Sequence, residues 1–279
     1  MIVPFYPSWI QFETSTICNG GCITCGNKEL QGFRDPVMDP FLVGKLIDDM
    51  EAHREHISRI IPFVNGEPLL YPPLFDLLGR LSDRVGPGKV LLNTNASLLY
   101  GEQAEKILQA YVCHAIENLD FSVDGMASYE KVRMGLKRDE IYANIEWFLL
   151  GVQDRSRINV HMTVTPENIN DLHEFMDFWD VQGIHNSFMG CDGRNGSNAM
   201  TSPSPLPCAR ILWSNIYILS DSTFVPCCVD YLGKHPLGSL RAQSVSSVWH
   251  GPAYTNLRLN HLDIQKDRSP LCRDCTAWY

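Results

Sequence analysis

No stretch of this 279-residue chain approaches eighteen consecutive apolar residues, and no basic segment leading into an apolar core opens it. The sequence therefore predicts neither a membrane-spanning helix nor a secretory signal. Basic residues are in short supply: 23 Lys and Arg stand against 32 Asp and Glu, for a net charge of −9. Nothing offers the basic stripe that a phosphate-rich partner needs, which weighs against nucleic acid. Internal repeats and low-complexity tracts are missing too, beyond an alternation of strand and helix signals. Pro and Gly, at 17 and 20, are ordinary, and 44% hydrophobic content suffices for one large core or a core with an appendage.

Cysteine, by contrast, is plentiful, with ten residues. In a chain without a secretory signal, clustered cysteines read as metal ligands in a reducing cytoplasm rather than as disulfides. Cys18, Cys22 and Cys25 fall within eight residues, in C-x3-C-x2-C spacing. Three thiolates on one tight loop can hold three irons of a cubane cluster and leave the fourth iron open. Gly20, Gly21 and Gly26 suit a backbone that must wrap a bulky inorganic group. A structural zinc site would close its shell with a fourth Cys or His nearby, and none follows within a few positions.

Around this loop the apolar patterning alternates. Strands are expected over 9–13, 57–64, 90–93, 118–123, 158–164 and, more weakly, 183–189. Helices are expected over 40–51, 74–82, 103–112, 139–150 and 169–179, the first opened by Asp39 and Pro40. Six such units predict an α/β fold with a parallel sheet, read as an open, partial (β/α)6 TIM-like barrel with ligand residues at the strands' C-terminal ends. Residues 191–207 are rich in Gly, Asn, Ser and Pro and read as a bridge between a barrel over 1–190 and a closing unit over 208–279. In that unit 213–219 and 223–225 flank a hairpin turn, and short helices are expected over 244–249 and 254–259.

Three strand ends carry recognisable turns: Asn65-Gly66-Glu67-Pro68, Asn93-Thr94-Asn95-Ala96 and Ser122-Val123-Asp124-Gly125. Together with the cysteine loop they resemble the radical S-adenosylmethionine (SAM) superfamily. There the corresponding turns read Gly-Gly-Glu-Pro, Thr-Asn-Gly and Ser-x-Asp-Gly, so Asn65 and Ala96 are departures. Thr24 is a third, where the family usually has an aromatic. The resemblance implies that Cys18, Cys22 and Cys25 hold a 4Fe–4S cluster whose open iron binds SAM. It also implies that Gly66, Glu67 and Pro68 receive the SAM amino group and that Thr94, Asn95, Ser122 and Asp124 complete its site. In it Ser122 touches the ribose and Arg133 pairs with the carboxylate, a role its planar fork suits.

The last third supplies Cys208, Cys227, Cys228, Cys272 and Cys275. Four thiolates from separate loops can ligate either an iron–sulfur cluster or zinc. The stretch from Asp221 to Asp230, with Gly238, Trp249, Arg258 and the closing C-x2-C, resembles the shortened SPASM domain called a twitch domain. That resemblance implies one auxiliary 4Fe–4S cluster on Cys208, Cys227, Cys272 and Cys275.

The implied activity is cleavage of SAM to a 5′-deoxyadenosyl radical that abstracts hydrogen from a C–H bond, with electrons from a flavodoxin- or ferredoxin-type reductant. The substrate expected from the resemblance is carbohydrate-like: a sugar, aminoglycoside or aminocyclitol. Epimerisation is the expected outcome, with Cys228 or Cys191 returning the hydrogen atom, because two spare thiols are placed near the pocket. The alternative is two-electron dehydrogenation of a secondary alcohol, with Arg194 or Glu13 as base and the auxiliary cluster as electron exit. Modification of a ribosomally made peptide is a further alternative, against which stand the single auxiliary cluster and the lack of room for a leader-binding module. His161, Glu13 and Arg194 are placed to line the pocket, with a satisfied structural hydrogen bond as the other reading of each.

Overall fold

The computed structural model describes residues 3–30, 32–191, 208–263, 269–273 and 275–276. Arg194 and nearly all of the expected bridge lie outside the described residues. The chain begins with β1 (Trp9–Phe12), whose end leads into the cysteine loop. Helix α1 (Pro40–Ala52) follows, capped by Asp39, whose carboxylate accepts the Phe41 N–H at 2.9 Å. It buries a stripe of Leu42, Val43, Leu46, Ile47 and Met50.

The alternation then runs β2 (Arg59–Ile61), α2 (Leu74–Arg84), β3 (Leu91–Thr94), α3 (Gly101–Val112) and β4 (Asn118–Ser122). After it come α4 (Tyr129–Val132), α5 (Arg138–Leu150), β5 (Ile158–Val164), α6 (Leu172–Val181) and β6 (His185–Gly190). Strand β2 is shorter than the apolar run 57–64 suggests, because Pro62 has no N–H to give to a ladder. The carbonyls of Pro62 and Phe63 instead accept Thr14 Oγ1 and Gln11 Nε2, each at 2.9 Å.

All six strands are parallel to their neighbours, β3 to β6 in sequence order, and β2 beside β1. A parallel bridge between Ile60 and Val90 joins the two halves. The expected partial barrel is therefore present and open. Each strand turns one face outward: Leu119 and Phe121 of β4 are fully buried, and Phe121 meets Phe148 of α5 edge-on at 5.8 Å. The inner face is polar. Asn159 Nδ2 donates to Ser187 Oγ at 2.9 Å, and His161 Nδ1 lies 3.1 Å from the same hydroxyl.

The closing unit does not stand apart from this sheet. Its first strand, β7 (Asn215–Ile218), lies parallel on the free edge of β1, pairing from Trp9↔Asn215 to Phe12↔Ile218. Only then does the expected hairpin turn back through β8 (Thr223–Val225) to β9 (Gly238–Ser239). Helices α7 (Val245–Trp249), α8 (Pro252–Leu262) and α9 (Pro270–Arg273) follow. Lys45 Nζ donates to the Leu240 carbonyl at 2.6 Å, and Trp249 Nε1 to that of Pro4 at 2.9 Å, so side-chain bonds as well as the sheet tie the unit to the barrel.

Candidate active site

The C-terminal ends of the strands open on one cleft of about 210 Å³. Cys18, Cys22 and Cys25 line it together, facing Gly66, Glu67, Asn95, Ser122 and Arg133. The loop that carries the thiols is fixed by its backbone: Gly21 N–H donates to Met134 O at 2.7 Å and Ile23 N–H to Val132 O at 2.9 Å. Asn19 adds a side-chain clamp, donating to Ser97 Oγ at 2.8 Å and accepting Asn95 Nδ2 at 3.0 Å. Burial raises the Cys18 pKa to about 11 and lifts that of Cys22 as well, so a metal bound by these thiols would have to displace protons.

Gly66 sits at φ = 81°, and a Cβ there would meet Ser15 O at 2.3 Å. Only glycine lets this turn lie against the exit of β1. Glu67 is buried, and its oxygens are already used: Oε1 accepts Thr94 Oγ1 at 2.6 Å and Leu69 N at 3.1 Å, while Oε2 accepts Asn95 N at 2.8 Å. Burial pushes its pKa up, against those three donors. The carboxylate thus staples the second strand's end to the third's. Ala96, the departure from the family's glycine, still adopts the left-handed φ of 58°.

Arg133 Nε donates to Asp124 Oδ2 at 2.8 Å, and Asp124 Oδ1 accepts the Thr163 N–H at 2.7 Å. Burial would lower the Arg133 pKa, but Asp124 and the Cys22 thiol overcome it and raise the net value. The guanidinium is therefore a permanent cation on the cleft wall. Ser122 Oγ donates to Asn93 Oδ1 at 2.5 Å, and Asn93 and Thr163 share the wall with it. His161, beside Ser122 in register, is kept neutral by burial, and its Nε2 has no hydrogen-bond partner among the described residues.

Cys191 lies in the cleft wall and is buried. Cys228 is not among the lining residues; it packs against the cluster of Tyr217, Leu219, Val225 and Cys227, and its Sγ accepts Arg210 Nη1 at 3.3 Å. Glu13 is not available as a base. It is wholly buried, held by Arg34 Nη2 at 2.6 Å and Nε at 2.9 Å, and it also accepts Asn65 Nδ2 at 2.7 Å and Ser220 N at 3.1 Å. Asn65 thus uses its side chain where the family's usual glycine has none. Two residues on this site escaped the sequence reading. Arg34 also donates to the Tyr231 carbonyl, and the Tyr231 ring closes the cleft over Gly26, where a Cβ would meet it at 2.4 Å.

A second cavity is lined by Cys208, Cys227, Cys272 and Cys275 with Arg210 and His261. Burial, then the neighbouring thiols, push the Cys227 thiol well up. Among the described residues no three His, Cys, Asp or Glu side chains stand close enough to hold one metal ion. Each thiol set lines its own cavity, Cys18, Cys22 and Cys25 the first and Cys208, Cys227, Cys272 and Cys275 the second.

The comparisons with known proteins agree. A model described as Radical SAM superfamily matches residues 12–178, and one described as SPASM, iron-sulfur cluster-binding domain, matches 208–276. The chain belongs to the radical SAM superfamily. Its cofactors are accordingly SAM, a SAM-binding 4Fe–4S cluster and an auxiliary iron–sulfur cluster. Among curated proteins it is similar to an S-adenosyl-L-methionine-dependent 2-deoxy-scyllo-inosamine dehydrogenase of Niallia circulans, 21% identical over 268 residues, covering 96% of this chain and 92% of the relative. Among radical SAM structures it resembles BtrN in complex with AdoMet and 2-DOIA, with a TM-score of 0.66, 18% identity, and coverage of 99% and 95%. It also resembles Streptococcus suis SuiB bound to precursor peptide SuiA, with a TM-score of 0.72, 14% identity, and coverage of 92% and 67%. No helix among the described residues is long and apolar enough to cross a membrane.

Proposed function

We propose that this radical SAM enzyme removes two hydrogens from a secondary alcohol of an aminocyclitol or related carbohydrate-like substrate. The observation that carries the reading is the four-cysteine cavity. An epimerase returns the hydrogen atom it takes and has no electron to dispose of, whereas a dehydrogenase has one. The likeness to an inosamine dehydrogenase over nearly the whole chain supports the same choice. The neutral hydroxyls and amide of Ser122, Thr163 and Asn93 give the cleft wall the groups a polyhydroxylated ring would meet.

In this reading Cys18, Cys22 and Cys25 hold the SAM-binding cluster in the barrel of residues 1–190, and Cys208, Cys227, Cys272 and Cys275 hold the auxiliary cluster in the unit of 208–279, beyond the bridge of 191–207. When bound, the reduced cluster and SAM supply a 5′-deoxyadenosyl radical that takes a hydrogen atom from the substrate carbon. Arg133 pairs with the SAM carboxylate while Asp124 fixes its fork. Gly66 and Pro68 shape the turn that receives the SAM amino group through backbone carbonyls, because the Glu67 carboxylate is already taken. Thr94 and Asn95 hold that turn in place, and Ser122 meets the ribose. Tyr231 excludes water from above. The substrate radical would then give its hydroxyl proton to water and one electron to the auxiliary cluster that the four cysteines would hold, leaving a ketone. A small flavodoxin- or ferredoxin-type protein supplies the priming electron.

Epimerisation keeps one specific support, the Cys191 thiol on the cleft wall. An anaerobic reaction in D2O with reductant, SAM and a panel of aminocyclitols separates the two. A product two hydrogens lighter and unlabelled is expected. A product of unchanged formula with one carbon-bound deuterium, lost in Cys191→Ala, would overturn dehydrogenation.

A further inference from the structure

The second cavity contains a polar side chain that neither the sequence reading nor the comparisons assign. His261, on the penultimate residue of α8, is buried and lines the cavity beside the four cysteines. The Cys208 backbone N–H donates to its Nδ1 at 3.3 Å. A backbone N–H can only donate, so Nδ1 must be the acceptor and the neutral ring must carry its proton on Nε2. That tautomer settles what the ring can offer. Nε2 has no lone pair for iron, so His261 is not a fifth ligand, and what it has to give is an N–H.

The same face of α8 carries two more polar groups. Tyr254, Arg258 and His261 recur at helical spacing, and all three are buried. Arg258 lies flat between Trp249 and Tyr254, 3.9 and 4.3 Å from their ring centres. It donates Nη1 to Trp249 O at 2.6 Å and forms no ion pair among the described residues. The helix thus brings an N–H donor to the four-thiol cavity, on a stripe that carries no carboxylate.

We propose that His261 donates its Nε2–H to a sulfur of the auxiliary cluster and thereby raises that cluster's reduction potential. The inference rests on the four cysteines holding the cluster. An N–H···S bond stabilises the reduced cluster more than the oxidised one, because reduction adds negative charge to the sulfurs. Since His261 reaches the group through one hydrogen bond, it is a positioning and tuning residue.

The test is a redox titration of the full-length reconstituted protein followed by electron paramagnetic resonance. The auxiliary signal is assigned by its persistence in Cys18→Ala/Cys22→Ala/Cys25→Ala. Two substitutions divide the imidazole's roles. His261→Asn keeps an acceptor where Nδ1 stands and removes the donor, whereas His261→Gln keeps a donor where Nε2 stands and removes the acceptor. The expected result is full iron content in both, a potential shifted to more negative values in His261→Asn, and a potential near wild type in His261→Gln. An unshifted potential in His261→Asn overturns the proposal. So does loss of the auxiliary iron from both variants with the fold intact by circular dichroism, which would make His261 a builder of the cavity only. If the triad variant retains no iron at all, the four-cysteine assignment itself has failed, and that outcome is read before any His261 variant is made.

Discussion

Glu13 spends both carboxylate oxygens inside the fold. Its partner Arg34 is 3% exposed at the side chain, and Glu13 itself is not exposed at all. Breaking such a pair leaves a buried charge unanswered, so Glu13→Gln is expected to cost on the order of 3–5 kcal/mol, read as a lower urea midpoint of the metal-free protein. Asp120, on the inner face of β4, is a different case. Burial raises its pKa from 3.8 to about 6, against Arg59, Asn159 and His185. The folded state therefore holds this proton more tightly than the unfolded chain does. The resulting stability is complete below about pH 4 and is lost as pH rises through about 6. Asp120→Asn should match wild type near pH 4 and exceed it at pH 7 by roughly 2–3 kcal/mol, as paired urea titrations would show. Neither environment was legible in the sequence. The cysteine spacings and strand-end turns are local patterns and could be read directly. The fate of Glu13 depends on Arg34, 21 residues away, and on Ser220, 207 residues away.

At the scale of elements, periodicity located the six barrel strands and five of the barrel helices but missed the four-residue α4 (Tyr129–Val132), too short to show a period, and where it overran, chemistry explains the difference. Pro62 ends β2 early, and Ile169–Asp171 forms a 3-10 turn ahead of α6 rather than its first turn. What periodicity could not supply was the partner of β7. An apolar run before a turn predicts a hairpin, and the hairpin is there, but the run also serves as a parallel neighbour to β1. All four residues of β7 are buried, as expected of a strand covered on both faces and both edges. Ile216→Pro would remove a ladder N–H from the middle of this sheet and add a ring where none fits. A loss of about 3 kcal/mol or more is expected, with thermal unfolding by circular dichroism as the check.

At the scale of the molecule, the barrel's first edge is covered, among the described residues, by β7 of the closing unit. A chain ending at Cys191 would expose the whole hydrogen-bonding edge of β1, together with the buried Arg34–Glu13 pair without its Ser220 and Tyr231 contacts. Open parallel edges of this kind pair with other chains. The truncated protein is expected to elute as aggregate in size-exclusion chromatography, while full-length protein elutes as a defined species. The composition was consistent with a core plus an appendage, but the sheet topology makes the two parts structurally interdependent.

Arg34 also imposes an order of events on the protein's synthesis. Its guanidinium waits on partners that lie 186 and 197 residues downstream, and the Tyr231 ring that roofs the cysteine loop arrives with them. The cysteine triad is therefore translated early and the residue that roofs it late. On the proposed function, the triad would lie open to iron and sulfide until the chain that carries the second set of thiols had begun to emerge.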